Sequence, residues 1–136
     1  MNLDQNKNLV TRFNREFIED KQFSALDELV STDFINHTAP PGMQDLKSTI
    51  YFFENVLWKS FPSIKVEIHD QIAENDKVTT RKTLHSVQEN DFMGISASGK
   101  MVSIRVIDIW KISDGKLTEH WGMLDFQDLT SQIGKA

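Results

Sequence analysis

At Pro62 the spacing of apolar residues changes, and that change limits the fold more than any other feature of the chain. Before it, apolar side chains recur about every 3.6 positions, as on one face of a helix. Leu9, Val10, Phe13, Phe17 and Ile18 predict a helix over residues 2–20. Leu26, Leu29 and Val30 predict a second over 24–31, with Ser24 as its N-cap, and Leu46, Ile50, Phe53 and Leu57 a third over 44–60. After Pro62 the period falls to 2: Ile64, Val66 and Ile68 alternate with Lys65, Glu67 and His69, the pattern of a half-buried strand. Helices first and strands after predict one α+β domain over residues 1–136, a curved antiparallel sheet with helices packed on one face and an apolar pocket between them.

The strands follow from turn signals. Glu74-Asn75-Asp76 separates the first strand from a partner at 77–88, and Ser98-Gly99 precedes the longest strand, 100–113. Asp114-Gly115 is a two-residue hairpin signal, since both central positions of that turn need positive φ. It returns the chain as a strand at 116–126, ahead of a last helix at 127–133. An extended segment at Asp33–His37 ends at Pro40-Pro41-Gly42. The simplest register through the hairpin pairs Trp110 with Glu119, Asp108 with Trp121 and Ile104 with Asp125. Val102, Ile104, Val106, Asp108, Trp110 and Ile112 then share the face that the helices cover, and Glu119, Trp121 and Asp125 join them. His120 falls on the other face, as does Lys111, unless a β-bulge intervenes.

That register predicts carboxylates on an apolar face, which is costly unless each is paired, hydrated or functional. Two readings stay open. Asp108 is a structural group held by an amide or an arginine, or it marks a site. Asp125 caps the last helix, or it works in a pocket. Nine Phe and three Trp against one Tyr must be buried or line something concave. Phe13, Phe17, Phe53, Met93, Trp110 and Trp121 are therefore candidates to line the pocket.

Several function classes drop out. Net charge is −5 with no basic cluster, which argues against nucleic acid. Without cysteine there is no disulfide, thiolate nucleophile or sulfur ligand, and His37, His69, His85 and His120 make no metal-binding pair, so no metal is expected. No apolar run is long enough to span a bilayer, and the start carries no signal region, so no membrane role and a cytoplasmic location are expected.

The ordered set Met93-Gly94-Ile95, Ser98-Gly99-Lys100, Ile107-Asp108-Ile109-Trp110, Asp114-Gly115-Lys116-Leu117, Glu119-His120-Trp121 and Asp125 resembles the SnoaL-like polyketide cyclases. Asp33-Phe34, Asn36-His37 and Phe61-Pro62 fit the same pattern. The resemblance implies a nuclear-transport-factor-2-like fold, a cone of helices and curved sheet around a cavity, usually as a homodimer. It implies ring closure by intramolecular aldol condensation with no cofactor, on a small apolar or aromatic carbonyl compound. Asp125 then matches the acid/base carboxylate, and His37 lines the mouth of the cavity, while Asp108, Trp110, Glu119 and Trp121 are substrate-binding candidates from the strand register. An assisting histidine of the family falls at Lys111, and that of a Gly-Thr-His-x-Gly stretch at Gln88. The alternatives are a non-catalytic binding protein using the same cavity and a dimeric interaction domain.

Overall fold

Five strands form one sheet in the order β1-β5-β4-β3-β2, with β1 Val30–Asn36, β2 Lys65–Glu74, β3 Lys77–Val87, β4 Met101–Ser113 and β5 Lys116–Leu124. The computed structural model describes residues 2–134. Four of the strands are antiparallel neighbours, as expected. The fifth differs: β1 runs parallel to β5, pairing Ile35 with Glu119 and Asn36 with His120. The short extended segment is thus a sheet edge rather than a connection, and it begins at Val30, a position the apolar spacing gives to the preceding helix.

The first helix, α1 (Leu3–Arg12), continues as a π-helical turn over Phe13–Glu19. α2 covers Phe23–Leu29, with Gln22 rather than Ser24 at the N-cap and no side-chain cap bond. The third predicted helix is α3 (Leu46–Phe52), a second π-helical turn at Phe53–Leu57 and the short α4 (Trp58–Ser60). Asp45 starts α3 by accepting a hydrogen bond from the Ser48 amide at 2.9 Å. α1 lies against β2, β3 and β5, α3 against β1, and α5 (Phe126–Ile133) against β4. No helix among the described residues is long and apolar enough to cross a membrane.

The hairpin forms as expected, with Asp114 and Gly115 at φ 52° and 74° and Ser113 opposite Lys116. Two pairs later the simple register fails. Ile112 faces Leu117, but Lys111 faces Glu119, so Thr118 is an extra residue. Its hydroxyl donates to the Lys111 carbonyl at 3.1 Å. One extra residue moves every later side chain of β5 to the opposite face. Trp110 therefore faces His120 and Asp108 faces Gly122, while Ile109 faces Trp121. Expectation and structure part here. His120 lies on the helix-covered face, and Glu119, Trp121 and Asp125 lie on the outer one.

Aromatic rings fill the space between sheet and helices. Phe13 sits 5.0 Å from Trp110 and 5.4 Å from Phe17, Phe17 lies 5.0 Å from Phe53, and Phe34 lies 5.5 Å from Trp110. Phe13, Phe17 and Phe34 are buried, and Phe53 is partly buried against them. Open clefts among the described residues lie elsewhere. One of about 490 Å³ runs beside α3 and is lined by Leu46, Ile50 and Tyr51 among others. Another, of about 540 Å³, is lined by Val56, Asn90, Asp91 and Met93 among others.

Candidate functional site

The covered face of the sheet is apolar at both ends and polar at its centre. Alternation on β4 carries Val102 and Ile104 inward, then Asp108, and pairing with β3 sets Lys82 opposite Val106 and Thr80 opposite Asp108. The Asp108 and Lys82 side chains are each 4% exposed, and the Lys82 ammonium lies 3.2 Å from Asp108 Oδ2. Lys82 also donates to Asn14 Oδ1 at 2.7 Å. Asn14 is fully buried in the first π-helical turn, and its amide nitrogen donates to the Val10 carbonyl at 2.9 Å. The Val10 carbonyl also accepts from the Phe13 amide, so Asn14 adds a second donor to it and turns its own oxygen to Lys82.

His120 completes the cluster from β5. Its Nε2 lies 3.3 Å from Asp108 Oδ2 and its Nδ1 lies 3.1 Å from Asn36 Oδ1. The ring sits 4.5 Å from the Trp110 ring. At 19% exposure, the His120 side chain is more open to solvent than Asp108 or Lys82. Gly122 makes room for it, since a Cβ there would lie 2.7 Å from His120 Cε1.

Burial pushes the Asp108 carboxyl up, but the Lys82 ammonium and His120 more than offset this, leaving the group below its usual value. Asp108 is thus a carboxylate at neutral pH. One of its oxygens, Oδ2, carries the lysine and histidine contacts, and the buried Oδ1 has no partner among the described residues.

The other sequence-derived candidates lie apart from this cluster. Asp125 is the N-cap of α5: its Oδ1 accepts from the Asp128 amide at 3.0 Å and its Oδ2 lies 2.5 Å from Arg105. Those two bonds hold its carboxyl below the usual range. Of the two readings of Asp125, the structure shows the cap, on the outer face. Glu119 and Trp121 stand there too, where His37 stacks on Trp121 at 4.7 Å and meets Glu119 at 2.7 Å. The His37 bond, with Lys111 3.5 Å from the other oxygen, lowers the Glu119 carboxyl. His37 therefore belongs to the outer face rather than to a mouth over the inner one. Phe13 and Phe17 are core, Trp110 borders the cluster, and Met93 is 64% exposed in the second cleft. Gln88 is fully buried and braces its own loop, accepting from the Ser98 amide at 3.0 Å.

Sequence reasoning gives Lys82 and Asn14 no role, names Asn36 only within the family pattern, and assigns His120 to the wrong face of the sheet. Gly122 was the available signal, because a glycine inside a strand marks a bulge or a close approach.

Known proteins agree with the architecture. A family model described as SnoaL-like polyketide cyclase matches residues 8–133. A protein from Jannaschia sp. CCS1, provisionally named a SnoaL-like polyketide cyclase, superposes with a TM-score of 0.85 at 24% identity, over 98% of this chain and 94% of that one. TsrD from Streptomyces laurentii gives 0.85 at 23% identity, over 98% of both chains. AclR from Streptomyces galilaeus, provisionally named a hydroxylase, gives 0.83 at 23% identity, over 99% of both. No curated protein matches the chain.

Proposed function

The chain belongs to the SnoaL-like polyketide cyclase family, and from that premise we propose that it carries out acid/base chemistry on a small apolar carbonyl compound at the Asp108–His120 pair. The supporting observation is the buried Asp108 carboxylate, ionised and with one free oxygen, joined through the other to a partly exposed imidazole. In an aldol-type ring closure, Asp108 Oδ1 takes a proton from the carbon next to a carbonyl. The carbanion, stabilised as an enolate, attacks a second carbonyl carbon of the same molecule. A carbon–carbon bond forms, and the new alkoxide takes up the proton that left the carbon, returned from Asp108 through the part-exposed His120 in contact with it, which restores the carboxylate. Lys82 keeps the carboxylate charged between turnovers. The reading uses side chains alone, with no metal or organic cofactor.

Deuterium uptake at the α-carbon of an aryl ketone tests the first step. General-base catalysis contributes about 10²–10⁴-fold, and Asp108→Asn should lose an effect of that size. Asp125→Asn should retain the activity. If Asp108→Asn exchanges as fast as wild type, the assignment fails.

One observation favours a second reading, a non-catalytic binding protein. Lys82 weakens Asp108 as a base, because the charge that keeps it ionised also lowers its proton affinity. Binding that survives in Asp108→Asn, with no exchange in wild type, supports it. The homodimer expected from the sequence would use the outer sheet face, where Met101, Ile107 and Met123 are more than half exposed. A cytoplasmic location remains part of the same proposal.

A further inference from the structure

The two ends of an asparagine amide differ in kind, one an oxygen that accepts and the other a nitrogen that donates. At Asn36 the neighbours decide which end lies where. The Thr38 backbone amide, which can only donate, reaches Asn36 Oδ1 at 3.3 Å. The Thr38 hydroxyl accepts from the Gly122 amide at 2.7 Å, which leaves its own proton for Asn36 Oδ1 at 3.4 Å. Turning the Asn36 amide over would set its NH2 group against the Thr38 N–H. The atom 3.1 Å from His120 Nδ1 is therefore an acceptor, and Nδ1 donates to it.

The other ring nitrogen faces an acceptor too. Nε2 lies 3.3 Å from Asp108 Oδ2 on β4, and Lys82 on β3 lies 3.2 Å from the same oxygen. The carboxylate draws a proton onto the ring, while the nearby ammonium disfavours the added charge. A neutral imidazole carries one proton, and which nitrogen holds it is set by the partner of the other. With that proton on Nε2 the ring is no acid, because releasing it would leave an imidazolate. With a proton held on Nδ1, Nε2 can release one and remain a neutral acceptor beside Asp108.

We infer that Asn36 is a positioning residue that keeps a proton on His120 Nδ1 and so reserves Nε2 as the atom of proton exchange. The inference deepens the proposed reaction and rests on its assignment of Asp108 and His120. Both hand-overs then use one nitrogen. Nε2 releases a proton to the alkoxide, and the Asp108 carboxyl, carrying the proton taken from carbon, refills it. The carboxylate is restored, and the ring again holds a proton on each nitrogen. The parallel pairing of β1 with β5, which sets Asn36 opposite His120, thus fixes the direction in which the ring passes protons.

The test is ¹⁵N NMR of the histidine ring nitrogens at pH 7, with the His120 signals assigned by their loss in His120→Gln. In wild type, His120 Nδ1 should give the signal of a protonated nitrogen. In Asn36→Leu, which offers no acceptor, Nδ1 should lose that proton while Nε2 keeps its own. Asn36→Asp retains an oxygen at this place and should retain the Nδ1 proton. The α-proton exchange assay should follow the same order. Asn36→Leu should lose about 10²-fold, the lower end of a general acid's contribution, and Asn36→Asp should recover most of that loss. A bare Nδ1 in wild type overturns the inference, whether or not any variant folds. A protonated Nδ1 in both wild type and Asn36→Leu overturns it as well, since the proton then does not depend on Asn36. Exchange rates separate this failure from that of the site. If Asp108→Asn exchanges as fast as wild type, the base assignment falls and takes this role with it. If Asp108→Asn is slow and Asn36→Leu matches wild type, the role of Asn36 alone falls.

Discussion

Lys82 and Asp108 neutralise one another 3.2 Å apart, inside a protein that has excluded nearly all water from both. Neither charge can be removed alone without stranding the other. Replacing Lys82 by Met keeps most of the volume but leaves the carboxylate unpaired, and breaking a buried pair costs about 3–5 kcal/mol. Urea unfolding at pH 7 should show that loss. The pH dependence has a definite sign. The folded-state value of Asp108 lies below its ordinary value, so on acidification the unfolded chain binds the proton first. The stability contributed by the Asp108 charge is therefore complete above about pH 4 and is lost as pH falls through the lower folded value. Unfolding curves of wild type and Asp108→Asn should converge below about pH 4 and separate above it. Gly122 gives a gentler probe. A methyl group there would meet His120 Cε1, so Gly122→Ala should turn the ring off Asp108. The expected outcome is near-wild-type folding with α-proton exchange reduced to the level of His120→Gln. Equal exchange in Gly122→Ala and wild type would show that the ring position does not matter.

Strand β5 shows where legibility ends. Its existence, its hairpin and its antiparallel pairing with β4 follow from Asp114-Gly115 and from alternation. Its parity does not, because the bulge at Thr118 rests on a single threonine hydroxyl bonded to the Lys111 carbonyl. Alternation on β4 was plain, so Asp108 and Trp110 were correctly placed inward. β5 reads Thr118-Glu119-His120-Trp121-Gly122 with no repeated apolar partner, and either parity looked plausible. On β3 the inward residues Thr80 and Lys82 are as polar as the outward Thr79 and Arg81, which hid the cluster. Deleting Thr118 should restore the simple register, drive Glu119 and Trp121 inward and expel His120. A fall in thermal midpoint of roughly 10 °C or more is expected, because the whole apolar pattern of the strand is displaced. A Thr118 deletion with an unchanged midpoint would contradict the role given to the bulge. Asp125 acts at the end of the same element, as the cap that ends the strand and starts α5. Asp125→Ala should lower the midpoint by roughly 2–5 °C and leave α-proton exchange intact.

At the scale of the whole molecule, helices followed by strands were enough to predict the layers, and the structure has them. The pairing of β1 with β5 was not predictable in the same way. β1 is short, its side chains are mixed, and its partner lies far away in sequence; the Asn36–His120 contact joins residues 84 positions apart. The same contact makes the fold indivisible. A fragment ending at Ser113 lacks β5, leaving β1 without its partner and β4 with a bare edge. It should show no cooperative urea transition, whereas the full chain should show one. A fragment that unfolds with the full chain's midpoint would refute that dependence.

The parallel seam between the two sheet segments also sets the order of events during synthesis. A chain leaves the ribosome amino end first, and contacts between distant residues form late. The edge strand must wait, unpaired and sticky, until almost all the remaining sequence has emerged. Only then do asparagine, imidazole and carboxylate meet, so the buried cluster is among the last parts of the fold to assemble.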